Sequence, residues 1–274
     1  MDKETLKKLH NTHIEILNEF VRICKENNLI YFLFYGTLLG AVRHKGFIPW
    51  DDDLDVAMPR SDYEKFINIY EVVKNTKYYI VTNKCPVNTY YHYNQISKLC
   101  KKGTIFEETT RYEKDYCGIY IDIFPYDNCN LFFLPLQTFI IKYSLRLYRL
   151  KTYDIIPKNE KTNPKIKKIV KYIFPLWFCK ILKTFSIKLL TIYNNKETKY
   201  ITFFCGDYHY KNETHKIDSI FPLTLITFEN NEYYSPFNTD RCLSRIYGNY
   251  MDIPPIEKQI THGNNVIFNT GDMK

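Results

Sequence analysis

An α+β fold with a basic helical insertion is what this sequence predicts, on three observations. Apolar residues recur at helical spacing near the start of the chain. Runs rich in β-branched and aromatic residues, bounded by Gly, Asn and Pro, follow as far as residue 124 and return in the tail. Between Leu131 and Tyr193 the pattern becomes helical, apolar and basic, interrupted at Pro157, Pro164 and Pro175, which places two or three helices between the first half and the tail. With 274 residues and 45% hydrophobic content, the chain has material for one large domain or two small ones and is not disordered or fibrous in composition.

Leu6, Leu9, His13, Leu17, Phe20, Val21 and Cys24 recur at three- and four-residue steps, marking an amphipathic helix that ends near Asn27-Asn28. A buried strand over Leu29–Tyr35 runs into Gly36-Thr37, and Leu38 to His44 has the composition of a short helix that closes at Lys45-Gly46. In Asp51-Asp52-Asp53-Leu54-Asp55-Val56 the apolar residues alternate with the acids as a strand requires, which points Asp53 and Asp55 to one side. Ser61 with Glu64 is a capping box for a helix through about Val73, with Tyr63, Phe66, Ile67 and Tyr70 on its apolar face. Strands are predicted at Tyr78–Thr82, Tyr93–Leu99 and Ile119–Phe124. The tail reads as a hairpin from Leu223 to Phe237 turning near Asn230-Asn231, then a helix from about Thr239 to Tyr247.

The chain carries 38 Lys+Arg against 30 Asp+Glu, a net charge of +8. Between Leu131 and Tyr200 fifteen basic residues stand against Asp154, Glu160 and Glu197, a balance of +12, so the remainder, 23 against 27, is −4. No stretch approaches the ~20 uncharged apolar residues of a membrane span. The first twenty residues hold acids and histidines where a signal peptide carries its apolar run, so a cytoplasmic location is expected. Eight widely spaced cysteines without a CxxC pair read as reduced, mostly buried thiols.

Asp53, Asp55 and Asp122, the last within Ile121-Asp122-Ile123, are three carboxylates on strand sequence beside a glycine. Phosphoryl chemistry needs this arrangement: glycine lets backbone N–H groups approach phosphate oxygens, while carboxylates hold divalent cations and can deprotonate an attacking hydroxyl. Acids set so close repel one another without a metal, so the cluster itself predicts a cation. The bland alternative is a solvated acidic loop, but Leu54, Val56, Ile121 and Ile123 embed the acids in apolar sequence, where an unpaired charge is costly. A second alternative is the DxD metal motif of nucleotide-sugar glycosyltransferases, which Asp53-x-Asp55 alone also fits. The helix at Gly36-Thr37 and the third acid favour the nucleotidyltransferase arrangement.

The run Tyr35-Gly-Thr-Leu-Leu-Gly-Ala-Val-Arg-His-Lys-Gly-Phe-Ile-Pro-Trp-Asp-Asp-Asp-Leu-Asp-Val56 resembles the signature of the LicD family, which includes bacterial phosphocholine transferases and animal fukutin-type ribitol-phosphate transferases. Gly118-Ile-Tyr-Ile-Asp-Ile-Phe-Pro-Tyr-Asp127 and Tyr247-Gly-Asn-Tyr-Met-Asp-Ile-Pro-Pro255 extend the resemblance to both ends of the chain and leave 131–200 outside it. It implies a nucleotidyltransferase (DNA polymerase β-like) fold, a short mixed sheet flanked by helices, with a catalytic core over 1–130, the basic insertion over 131–200 and a part over 201–274 that completes the core. It also implies transfer of a phospho-alcohol from a CDP-activated donor to a sugar hydroxyl, with one or two magnesium ions. Carried over by position, Asp53, Asp55 and Asp122 are the implied metal ligands, Asp122 doubling as general base, and Asp51 touches the metal or a water on it. Gly36 and Thr37 would cradle the donor phosphates and Arg43 would neutralise them. Lys98 is a further phosphate candidate, and His262 would reach the site from the tail. His44 could equally be structural. The scattered thiols match no zinc pattern, and no zinc is expected.

The expected function is a magnesium-dependent CDP-alcohol:glycan phosphotransferase that releases CMP, with CDP-choline the first-choice donor. The expected acceptor is a lipid-linked glycan of lipopolysaccharide, teichoic acid or capsule type. Ribitol phosphate or glycerol phosphate is the alternative cargo, and a non-catalytic basic module binding membrane or nucleic acid is the rival of another class. The basic segment lacks an RRM- or zinc-type signature, so no nucleic-acid partner is expected. Phe178, Ile181, Leu182, Phe185, Leu189 and Ile192 follow helical spacing, with Lys180, Lys183 and Lys188 off that face and Trp177 near its start. Such a helix fits a bilayer interface, and equally a core with a solvated basic side. Peripheral attachment to an anionic membrane surface, without a span, is the expectation.

Overall fold

The structure, a computed structural model, describes all residues except 73–76, 83–94, 109–116, 153–162, 207, 262 and 273–274. The first element, α1 (Lys3–Glu26), is capped by the Asp2 carboxylate, which accepts from the Glu4 and Thr5 N–H groups. Its predicted steps, Val21 apart, are buried, and Ile16 and Ile23 join them; Leu9, Ile16, Leu17 and Phe20 lie wholly inside. The chain crosses β1 (Phe32–Leu33) into α2 (Tyr35–His44), which closes at Lys45 in the left-handed region, φ 62°. The strand is shorter and the helix longer than the apolar run predicts. Tyr35, at φ 44°, turns the chain off the sheet, and ring packing rather than strand pairing accounts for the aromatic residues: Phe34 meets both Tyr35 and Tyr126 edge-on.

After β2 (Asp55–Pro59) the chain passes directly into α3 (Arg60–Val72). Because the helix already includes Ser61, that residue is not its cap, and the predicted capping box is not formed. Arg60 occupies the first turn instead, held by two buried hydrogen bonds to Asp127 of 2.9 and 2.7 Å. Next come β3 (Tyr78–Val81), β4 (Ser97–Lys101), β5 (Ile105–Glu108) and β6 (Tyr120–Cys129). The start predicted for β4, at Tyr93, lies outside the described residues. The basic segment forms α4 (Leu134–Thr152), α5 (Pro164–Ile173) and α6 (Leu176–Leu190). Pro164 and Pro175 stand at the starts of the last two, where a missing N–H costs nothing.

The tail adds β7 (Tyr200–Thr202), β8 (Thr214–Lys216), the single turn α7 (Ile217–Ile220), β9 (Thr224–Phe228), β10 (Asn231–Ser235), α8 (Thr239–Tyr247) and β11 (Gly263–Ile267). The β9–β10 hairpin turns at Glu229-Asn230, φ 47° and 65°, one residue ahead of the predicted position. Both turn residues take positive φ, as a two-residue turn matched to strand twist requires.

The sheet order is β1-β2-β6-β4-β3, with β7 paired to the far end of β6 and β8 to β7. β2 and β6 are parallel and the other pairs antiparallel, so the sheet is mixed, with α1 against β4 and β6 and α3 against β2, β3 and β6. β6 outruns its predicted end at Phe124 because its second half pairs with β7, Asp127 opposite Thr202. The strands β5 and β11, not predicted, form a separate antiparallel pair.

One core cluster draws on both ends of the chain, from Leu9 and Phe20 through Val56 and Ile121 to Phe203 and Leu243. Of the three basic helices, α4 and α6 rest on smaller clusters, one joining Leu134, Ile141, Leu145 and Leu190 to Cys129 and Phe204 and another around Tyr148 and Cys179, while α5 packs against α4. The seven described cysteines are free, and all but Cys205 are buried. Among the described residues no helix is long and apolar enough to cross a membrane.

Candidate active site

Sheet register sets the site. Asp55 on β2 lies opposite Asp122 on β6, and Lys98 on β4 lies opposite Asp122 from the other side. Residues paired in register project to one face of a sheet, so the three side chains stand in a row across three strands. Asp55 is 7% exposed, Asp122 9% and Lys98 1%, and the neighbouring Leu54, Val56, Ile121 and Ile123 are fully buried. Lys98 Nζ reaches both Asp122 oxygens, at 2.8 and 3.0 Å, and lies 3.1 Å from the centroid of the Tyr120 ring. A buried ammonium thus balances the charge of Asp122.

The start of α2 pins Asp55. Thr37 Oγ1 accepts from the Asp55 N–H at 2.7 Å, Phe34 N–H donates to the Asp55 carbonyl at 3.3 Å, and the Gly36 N–H donates to the Asp55 carboxylate. A Cβ on Gly36 would stand 2.9 Å from Asp51 Oδ2, so only glycine lets this carboxylate approach the helix so closely. The residues predicted to cradle phosphate are therefore packed against the acids, with their polar groups engaged there.

Within the acidic run, Asp51, Asp53 and Asp55 act on one another, whereas Asp52 turns into the fold. Its Oδ2 accepts from the Gly263 N–H at 2.6 Å, which ties the run to β11. Burial pushes the Asp51 carboxyl well above the ordinary carboxylate range, reinforced by the charge of Asp53 and a hydrogen bond with it. Burial does the same to Asp55, with Asp53 and Asp122 adding to the rise and Lys98 and the Gly36 N–H opposing it. The cluster holds more negative charge than its surroundings favour, and its donors are all carboxylate oxygens, the chemistry that suits a hard divalent cation. Among the described residues no three His, Cys, Asp or Glu side chains already converge as a metal-holding set.

Arg43, in the last turn of α2, donates through Nε to His44 Nε2 at 2.9 Å and through Nη1 to the carbonyls of Tyr250 and Asp252 at 3.0 and 3.3 Å. Its guanidinium carbon lies 5.9 Å from the Trp50 ring. It thereby fastens the tail motif to the first motif, which explains why two segments two hundred residues apart share one site. His44 acts as the acceptor that orients Arg43. His262 lies outside the described residues. On the other flank, His10 Nε2 donates to the Asp51 carbonyl at 2.7 Å while its ring stacks on Phe47.

Sequence reasoning missed an aromatic wall beside the acids. Tyr208 and Tyr247 meet edge-to-face, with centroids 5.7 Å apart, and Tyr208 lies 6.4 Å from Tyr35. The Tyr247 hydroxyl is pushed well up, by burial first, then by Tyr208 and Asp55, with Asp51 adding to the effect, which places this ring within electrostatic reach of the carboxylates. Behind the wall, Tyr35 Oη donates to Glu213 at 2.5 Å and accepts from Tyr126 Oη at 3.1 Å. Tyr247 opens the tail motif and was visible in that sense. Nothing in the local sequence marks Tyr208 or Glu213, which only the tertiary fold brings to Tyr35.

Residues 28–160 match the family model described as LicD/FKTN/FKRP, nucleotidyltransferase domain. The chain is 29% identical over 269 residues to the lipopolysaccharide cholinephosphotransferase LicD of Haemophilus influenzae, a match covering 96% of this chain and 97% of that protein. Shorter likenesses reach uncharacterised proteins of Rickettsia typhi, 40% identical over 73 residues (27% of this chain, 24% of that one), and Rickettsia prowazekii, 44% identical over 48 residues (18% of each).

Proposed function

We propose that this chain, whose residues 28–160 belong to the LicD/FKTN/FKRP nucleotidyltransferase family, moves phosphocholine from CDP-choline to a hydroxyl of a lipopolysaccharide-type glycan and releases CMP. The observation that carries the reading is the buried row Asp55, Asp122 and Lys98, which lies within the matched segment and gathers negative charge at the mouth of a parallel strand pair. The fold of the reading is the DNA polymerase β-like nucleotidyltransferase fold, to which a short mixed sheet with flanking helices conforms.

In the proposed step the acceptor oxygen bonds to the phosphorus that bears choline, the bond from that phosphorus to the CMP oxygen breaks, and the hydroxyl proton passes to Asp122. Lys98 balances the charge of Asp122 until the proton arrives. Asp53, Asp55 and Asp122 would hold magnesium, with Asp51 beside them; bound there, the ion would neutralise charge on the transferring phosphate. Gly36 and Thr37 hold Asp55 on the mouth of the site. Arg43 and Lys98 are the proposed cations for the donor phosphates, and the tail that Arg43 fastens carries Tyr247 to the acids. The wall of Tyr208 and Tyr247 favours choline over ribitol or glycerol, because aromatic faces attract a quaternary ammonium and offer a polyol little.

The test is CMP release from CDP-choline, CDP-ribitol and CDP-glycerol, and UDP release from UDP-sugars, with magnesium and a lipopolysaccharide acceptor. CMP is expected from CDP-choline, and it is expected to vanish in Asp122→Asn. Turnover of CDP-ribitol or CDP-glycerol alone would replace the cargo, and UDP release alone would replace the reaction by glycosyl transfer. Turnover of no donor would leave a non-catalytic module.

A further inference from the structure

We infer that the helical segment is a membrane-docking surface, in which α5 and the outer stripes of α4 and α6 seat in the interface of an anionic lipid bilayer. The inference goes beyond the reaction and holds whichever donor is used.

The apolar residues of α5, Ile166, Ile169, Val170 and Ile173, follow helical spacing, yet only Val170 is buried; Ile169 is 53% exposed, Ile173 59% and the adjacent Tyr172 92%. A ten-residue helix is marginal in water and draws its stability from burying such a face. Among the described residues nothing covers most of that face. The same holds on either side. On α4, Leu136, Phe139 and Tyr143 lie outward while Leu134, Ile141, Leu145 and Tyr148 lie inward. On α6, Trp177, Ile181 and Phe185, spaced by one turn, lie outward while Cys179, Ser186 and Leu190 lie inward. This changes the face the sequence predicts: Phe178, Leu182 and Leu189 are half-buried, and Trp177 joins the outer stripe.

Charge selects the occupant. Lys165, Lys168, Lys180 and Lys188 are exposed beside these stripes, within a segment whose balance is +12. A second copy would bring two such surfaces together in repulsion, whereas anionic headgroups complement them. Tyr172 and Trp177 are the amphipathic rings that settle at headgroup level, and lysines flanking an apolar stripe are the pattern of a helix lying in the interface plane.

Flotation of the full chain with phosphatidylcholine vesicles, with and without phosphatidylglycerol, at low and high salt tests this. Wild type is expected to float with the anionic vesicles at low salt and to be released at high salt. Ile169→Ser combined with Ile173→Ser should weaken that binding about tenfold or more, with an unchanged circular dichroism spectrum. Phe139→Ser, on another helix, should weaken it in the same direction. Wild type that stays at the bottom of every gradient, or variants that float as wild type does, would overturn the inference. So would a dimer in sedimentation equilibrium that the α5 substitutions dissociate while vesicles bind nothing, since a second copy would then cover the face.

Discussion

The acid-bearing sheet and the three basic helices place the same residue types in opposite settings. On the sheet, charge is inside: Asp55, Asp122 and Lys98 sit among side chains with no exposure, and five residues beyond Asp122 the wholly buried Asp127 is held by Arg60 and by Asn194 Nδ2 at 2.6 Å. On the helices, apolar surface is outside, with Tyr172 and Trp177 facing water among lysines. Burying charge in an apolar sheet costs stability and yields reactivity, because a carboxylate crowded by its neighbours gains when a cation or a proton arrives. Exposing an apolar stripe on a helix gains nothing inside the fold and is repaid only by an outside surface. The first region would be completed by the cation and substrate proposed for it, the second by the membrane surface proposed for it.

The sharpest way to break this contrast is Asp55→Asn. Turnover is expected to fall about a thousandfold or more, while the melting temperature in a metal-free buffer holds or rises, since the substitution removes a carboxylate that burial and Asp53 disfavour in its ionised form. Loss of activity together with a large drop in melting temperature would make Asp55 a prop of the sheet rather than part of the reaction. Arg60→Met comes next: it strands Asp127 without its cation and should cost about 3–5 kcal/mol in urea unfolding. The double variant Arg60→Met/Asp127→Leu should recover most of that, which would mark this pair as structural and set it apart from Lys98–Asp122.

A third effect depends on pH. Burial first, and Arg245 second, hold the His215 imidazole down at about 3 against an ordinary 6.5. The unfolded chain therefore takes up that proton first as pH falls, and stability is lost from about pH 6.5 downward until the folded histidine titrates. His215→Leu should flatten the decline by about 2 kcal/mol between pH 6.5 and 5 relative to wild type, read from urea midpoints. Asp51 and Asp55, whose carboxyls are pushed up, act with the opposite sign in that range, which is why the comparison is between variants and not of the wild-type curve alone. The smallest effect separates the two regions most directly. Ile169→Ser should change unfolding free energy by no more than about 0.5 kcal/mol, whereas Ile121→Ala, in the sheet, should cost about 2–5 kcal/mol. An α5 substitution as costly as the sheet one would mean that its stripe is covered within the chain.

Much of this was legible before any coordinates. The steps from Leu6 to Cys24, Val21 apart, became the buried stripe of α1, Thr239–Tyr247 became α8 as read, and the mixed sheet with flanking helices is the one that the LicD resemblance implied. What escaped was non-local. The strand over Leu29–Tyr35 shrank to two residues because rings, not ladders, bury Phe34 and Tyr35. The capping box at Ser61 gave way to Arg60, whose partner lies 67 residues downstream. Both errors arise where a local preference met a stronger tertiary contact.

By itself the sequence determined which residues carry charge, where apolar runs repeat and where prolines and glycines interrupt them, and those are local properties of a chain. From them follow the acids at 51–55 and 122, the glycine ahead of them and the basic helices. Only the tertiary structure decided that Asp55, Asp122 and Lys98 share one row, that Asp52 turns away to Gly263, and that Arg43 brings Tyr247 to the carboxylates. Register and side-chain facing depend on pairings between segments far apart in the chain. A shift of one residue in the β2–β6 pairing would send Asp55 and Asp122 to opposite faces and leave every local pattern unchanged.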